Sequence, residues 1–163
     1  MKLSTKTIYS LRLMVYLADR LETGKPVRLK EAAEAQGLPY KYLEQLAKPL
    51  KAAGLVRSEQ GKQGGYVAAR AAGEITALEV AEAAAGPLEL LGCAGAEADC
   101  GTGGPCPAGA MWRLVESRVR ETLAAHTLED LSEKAALESF TGGADSGAAR
   151  ISCVEKTKGK RKG

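Results

Sequence analysis

Three of the chain's four cysteines, Cys93, Cys100 and Cys106, fall in one short stretch, CAGAEADCGTGGPC. Clustered thiolates are soft ligands, suited to iron–sulfur clusters and to zinc, and they are redox-active in their own right. Gly95, Gly101, Gly103, Gly104 and Pro105 lie among them. Glycine loses too much conformational freedom in regular structure and proline removes a donor, so the stretch reads as a loop that presents thiols. It contains no CxxC pair, which counts against a structural zinc knuckle. Enzyme chemistry finds no constellation: there is a single histidine, His126, and no nucleophile elbow, P-loop or GxGxxG after a strand.

A second chemistry is written in the charges. The net +3 hides a segregation: residues 1–70 carry thirteen Lys/Arg against six Asp/Glu, a balance of +7, while residues 71–140 stand at −8 and residues 141–163 at +4. A basic first half points to an anionic partner for that half alone. No apolar run approaches the ~18–20 residues of a membrane span, and no signal-peptide core opens the chain. The expected compartment is therefore the cytoplasm, where thiols stay reduced and clustered cysteines point to metal or redox chemistry before disulfides.

The elements that must position these groups read mainly as helix. Ser4 is a plausible N-cap for a first helix over Thr5–Arg20, with Ile8, Leu11, Met14 or Val15, and Ala18 at helical spacing. A second helix over Lys30–Gln36 buries Ala32, Ala33 and Ala35, and Gly37 stops it. A third starts at Leu38-Pro39 with the stripe Tyr42, Leu43, Leu46 and Leu50, and Pro49 predicts a kink or a break before Leu50. Two short helices about a glycine turn outline a helix-turn-helix with the third helix as reader. Its opposite face offers Tyr40, Lys41, Glu44 and Gln45 to DNA: Gln pairs with adenine, Glu accepts from cytosine, and Lys reaches guanine or phosphate. Lys48 extends that face.

Leu55–Ser58 and Tyr66–Ala68 form a hairpin, a wing, with Lys62 at its tip; Arg57, Lys62 and Gln63 are its DNA-facing candidates. A fourth helix over Ala77–Ala85 offers Leu78, Val80 and Ala81 for burial and ends at Gly86-Pro87. After the cysteines, Pro107 opens a long amphipathic helix to His126, roughly 28 Å in length and enough to pack along a twin. Thr127-Leu128-Glu129-Asp130 has capping-box spacing and predicts a last short helix ending near Phe140. Small and basic residues over 141–163 predict a disordered tail.

The order of motifs is specific: MKLSTKTIYSLRLMVYLA, then YLEQLAKPLKAAGLVRSEQGKQGGY, then ITALEVAEAAAGP, then three cysteines followed by AMWRLVESRV and TLEDL. It resembles the IscR/NsrR-like family of winged-helix iron–sulfur transcription regulators, over roughly residues 1–138. The resemblance implies a mainly α fold: a winged helix-turn-helix DNA-binding domain (1–86), a cysteine cluster-binding loop (87–106), a dimerisation helix with a short terminal helix (107–140), and the tail (141–163). It implies a homodimer paired through the long helix, bound to a pseudo-palindromic double-stranded operator and not to a membrane. It also implies that Cys93, Cys100 and Cys106 hold an iron–sulfur cluster, [2Fe–2S] in preference to [4Fe–4S], sensing redox, iron–sulfur or nitric-oxide status. In that family the residue matching Glu44 can discriminate between operator classes.

Two departures bear on the site. The C-x6-C-x5-C spacing is one residue longer in its first gap than the IscR-like pattern. IscR-like members place a histidine where this chain has Gly109, and some NsrR-like members an acidic residue where it has Ile8. The fourth ligand stays open among Asp99, Glu97, His126, Cys153, a group from the partner chain, and an open or water-bound iron. A winged-helix regulator with a zinc or thiol switch, and a cluster-free protein–protein adaptor, are the alternatives.

Overall fold

Ser4 opens the first helix as its composition predicts: its Oγ accepts the Thr7 N–H at 3.1 Å, satisfying one of the orphan donors of a helix start. The structure is a computed structural model and describes residues 4–21, 25–61, 64–89 and 106–132. The expectations for Lys62, Gln63, Cys93, Glu97, Asp99, Cys100, Cys153 and the 141–163 tail lie outside the described residues. Helix α1 runs Thr5–Leu21, α2 Leu29–Gln36, and α3 Tyr40–Ala52. Strands β1 (Val56–Glu59) and β2 (Gly65–Ala68) follow, then a 3-10 turn Ala72–Glu74, α4 (Ala77–Ala85) and α5 (Pro107–Ala125).

Two apolar strips run along α1. Leu13, Met14, Leu17 and Ala18 enter the core, whereas Ile8, Leu11 and Val15, expected on the same face, line an open groove, with Ile8 48% exposed. Ala32 and Ala33 of α2 are buried, and Ala35, expected beside them, is exposed. The helix ends on Gly37 in the left-handed region (φ 64°), and the Leu38 N–H closes the turn on the Ala33 carbonyl at 3.0 Å.

Pro39 is the N-cap of α3 rather than its first helical residue. Of the kink or break expected at Pro49, the break does not occur: α3 continues through Pro49 to Ala52. Pro49 lies in the last turn, and the carbonyl it deprives of a donor is that of Gln45, an exposed residue that water can serve. Leu43, Leu46, Ala47 and Leu50 hold the helix in the core, each leucine contributing about 2 kcal/mol by burial.

The antiparallel wing pairs Val56 with Ala68 and Glu59 with Gly65. A third segment joins it. Val27, just before α2, forms a bridge with Tyr66, with reciprocal hydrogen bonds of 2.9 and 2.8 Å. That approach explains Gly65, on which a Cβ would lie 2.5 Å from the Val27 carbonyl oxygen; Gly64 is held by the hairpin itself, where a Cβ would lie 2.4 Å from the Glu59 carbonyl oxygen.

Helix α4 has the full capping box: the Glu79 N–H donates to Thr76 Oγ1 at 3.2 Å and the Thr76 N–H to Glu79 Oε2 at 2.8 Å. A second box follows α5, in which the Asp130 N–H donates to Thr127 Oγ1 and the Thr127 N–H to Asp130 Oδ2. The two boxes adjoin, because Thr127 bridges Thr76 and the Leu128 N–H reaches the Ile75 carbonyl at 2.9 Å. That pairing keeps Thr127 extended and buries Leu128 completely. Residues 127–132 therefore form bridge and turn instead of the first turns of the expected terminal helix, whose remainder (133–140) lies outside the described residues.

Candidate nucleic-acid interface and cysteine segment

Tyr40, Lys41, Glu44, Gln45 and Lys48 fall on the side of α3 away from its four buried residues, as i, i+4 and i+7 spacing requires. Lys41, Gln45 and Lys48 are exposed, Tyr40 is 46% exposed, and Glu44 is half-buried. The Tyr40 phenol is held above its ordinary pKa, first by a hydrogen bond with the Glu44 carboxylate and then by that carboxylate's charge. The pair thus presents a phenol and an acceptor side by side at the N-terminal end of the helix, where a reading helix meets base edges. Arg57 stands on β1, 61% exposed, with its guanidinium 3.5 Å from Glu59. Lys51 Nζ donates to Ser58 Oγ at 2.7 Å and ties α3 to that strand.

The Val27–Tyr66 bridge brings in residues absent from the sequence-derived set. Tyr66 lies close enough to Tyr40 for the two phenols to interact electrostatically. Lys25, Arg28 and Lys30, all exposed, flank the bridge at the start of α2, where phosphate contacts are common. The signal available in sequence is a cation every two or three residues just ahead of a short helix.

Of the cysteines, Cys106 is the described one, and it is free. It is the N-cap of α5, half-buried, and its Sγ accepts the Gly109 N–H at 3.3 Å. A charged sulfur there would face the N–H end of a helix, which suits a thiolate ligand. Gly109 is buried, with room about 3.7 Å from the sulfur but no side chain to ligate. His126 is the C-cap of the same helix. With α5 nineteen residues long, the two ends are roughly 28 Å apart, which removes His126 as a ligand to a site containing Cys106 of its own chain. The donor set, so far as it is described, fits one soft ligand to a cluster. Among the described residues, no group of three or more metal-ligating side chains converges.

Helix α5 is otherwise mostly outside the core. Gly109 is its one buried residue, while Met111, Trp112 and Leu114 are 60, 47 and 55% exposed. Beside it, Ile8, Leu11, Val15, Ala81 and Leu123 line a groove of about 530 Å³. Among the described residues no helix is long and apolar enough to cross a membrane.

Comparison with known proteins adds three likenesses. The Rrf2 family, described as iron-dependent transcriptional regulators, matches residues 3–134. The chain is similar to the transcriptional regulator IscR of Xenorhabdus nematophila, 37% identical over 131 residues, covering 80% of this chain and 79% of that one. Its fold is similar to the solved structure of CymR, described as the global cysteine regulator of B. subtilis, with a TM-score of 0.67 and 36% identity over 82% of this chain and 98% of that one. It is equally similar to IscR of T. potens, with a TM-score of 0.67 and 31% identity over 90% and 94%.

Proposed function

The chain belongs to the Rrf2 family of transcriptional regulators, and on that premise we propose that it is a cytoplasmic homodimer whose operator affinity is set by an iron–sulfur cluster on Cys93, Cys100 and Cys106. That it is a DNA-binding regulator, not an enzyme, follows from the family.

The observation that carries the sensing reading is the place of Cys106. It is at once the last thiol of the cysteine segment and the N-cap of α5. A ligand bound there acts on the start of a helix whose far end is bridged to Thr76 at the foot of α4. When bound, a cluster supplies a redox-variable charge that links the three sulfurs. Cys106 and the Gly109 N–H hold that end of α5. The exposed Met111 and Leu114, one turn apart on α5, with Trp112 on the adjoining face, offer the surface along which a second copy pairs, so a tilt of α5 becomes a change in the spacing of two reading helices. On each, Tyr40, Lys41, Glu44, Gln45 and Lys48 face a half-site of a pseudo-palindromic operator, with Arg57, Lys62 and Gln63 on the wing. A coupling of ~1–3 kcal/mol changes affinity about 5- to 150-fold.

The test is purification without oxygen, followed by the absorption spectrum, iron and acid-labile sulfide, and operator affinity before and after stripping the metal. Brown protein with sulfide matching iron, lost in Cys93→Ala, Cys100→Ala and Cys106→Ala, is the expected result. Colourless protein, or variants that keep full iron, would overturn it. A second reading, a thiol switch on the same cysteines, is favoured by the likeness to a protein described as a global cysteine regulator. It predicts an affinity that follows thiol oxidation in metal-free protein.

A further inference from the structure

Glu82, on α4, has two ties. Its Oε1 accepts from Arg120 Nη1 of α5 at 2.5 Å and, at a longer 3.4 Å, from the backbone N–H of Leu88. Both side chains of the ion pair are about two-thirds buried, at 38% exposure for Arg120 and 31% for Glu82. Leu88 belongs to the chain just leaving α4 toward the cysteines, and Cys106 is where that chain re-enters α5. One carboxylate oxygen therefore holds the departing chain and the C-terminal half of the receiving helix to the same point.

Helix α4 is in turn part of the DNA-binding body. Arg70, just after the wing, donates to Glu79 Oε1 at 2.6 Å one turn earlier on α4, and α4 packs on α1 and α3.

We propose that Glu82 is a positioning residue that transmits the state of the cysteine segment to the reading domain by anchoring the segment's entry and α5 together on α4. The inference deepens the sensing role proposed for the cysteines and rests on it. The ion pair alone would fasten α5, and the Leu88 bond alone would fasten the chain entering the segment. Sharing one acceptor makes a displacement of either felt by the other, and by α4.

The experiment compares wild type, Glu82→Ala and the charge swap Glu82→Arg with Arg120→Glu. Two quantities are read: amide exchange at Leu88 in metal-free protein, and the ratio of operator affinities with the cluster loaded and stripped. In Glu82→Ala, Leu88 exchange accelerates severalfold and the affinity ratio falls to about twofold or less. Iron content stays at the wild-type level. The swap rebuilds the α4–α5 pair but leaves no acceptor on α4 for Leu88. It recovers the melting temperature lost in Glu82→Ala and still shows the reduced ratio. A Glu82→Ala protein with the wild-type ratio, or a swap that restores it, overturns the shared anchor while leaving cluster sensing intact. A wild-type ratio of one in iron-loaded protein overturns cluster sensing itself, and this inference with it.

Discussion

Ser10 is fully buried in α1, and among the described residues its hydroxyl has no hydrogen-bond partner. An unsatisfied buried hydroxyl costs more than the methyl that would replace it. Ser10→Ala is expected to raise stability by about 1 kcal/mol in urea titration, with operator affinity unchanged. Gly65 has the opposite character. Its missing Cβ is what allows the Val27 backbone to approach, so Gly65→Ala should cost about 1–3 kcal/mol. It should also weaken DNA binding by displacing the wing, to be read by melting temperature and by anisotropy on a labelled operator. Sequence shows Gly64-Gly65 as turn chemistry and nothing more. The residue that makes Gly65 obligatory is Val27, on the far side of two helices, and a one-residue bridge leaves no periodicity to read. The place of Cys106 is legible from Pro107, which opens α5. The place of Ile8 is not, because helical spacing cannot say which of two apolar strips faces the core.

Helix α4 is the element that sequence delimits best, since the Thr76–Glu79 box starts it and Gly86-Pro87 stops it. For Glu79, burial pushes the pKa up, but the Thr76 N–H and then Arg70 outweigh it, and the carboxyl lies below the ordinary 4.5. A folded pKa below the unfolded one means stabilisation that is complete above the unfolded pKa and vanishes as pH falls through the folded value. Glu79→Gln should therefore melt below wild type at neutral pH, by about 0.5 kcal/mol once solvent screening of this part-exposed group is counted. The gap should close as the pH is lowered past 4.5. At the level of α3, Lys41→Ala should weaken binding to all DNA sequences alike and reduce the slope of log affinity against log salt by about one. An unchanged slope would remove Lys41 from the phosphate contacts. The second capping box is equally visible in sequence but misleads, because Thr127 is drawn into a bridge with Thr76 that local pattern cannot reveal.

Across the whole molecule, the fold class follows from the motif order, and the division of labour along α5 does not. Its C-terminal end is fixed by Leu128 and by Arg120, whereas its first half carries Met111, Trp112 and Leu114 in the open. Heptad-like spacing shows an amphipathic helix without showing that its apolar side lacks a partner within the chain. Trp112→Ala with Leu114→Asp is expected to yield a monomer in analytical ultracentrifugation. Operator affinity should fall by about 100-fold, as two linked half-site contacts become one. The junction of Thr76 with Thr127 has a further consequence. It closes the excursion through the cysteines and α5 into a ring fastened at its base, so a residue added within that ring acts on the base chiefly through the entropy of closing it. For a closed loop the entropic cost grows only as the logarithm of length, so one added residue in such a span costs on the order of 0.1 kcal/mol or less. The ring can thus be lengthened or shortened over generations without unsettling the body that reads DNA. The six residues between Cys93 and Cys100 are a span where a residue gained or lost is a change of this inexpensive kind.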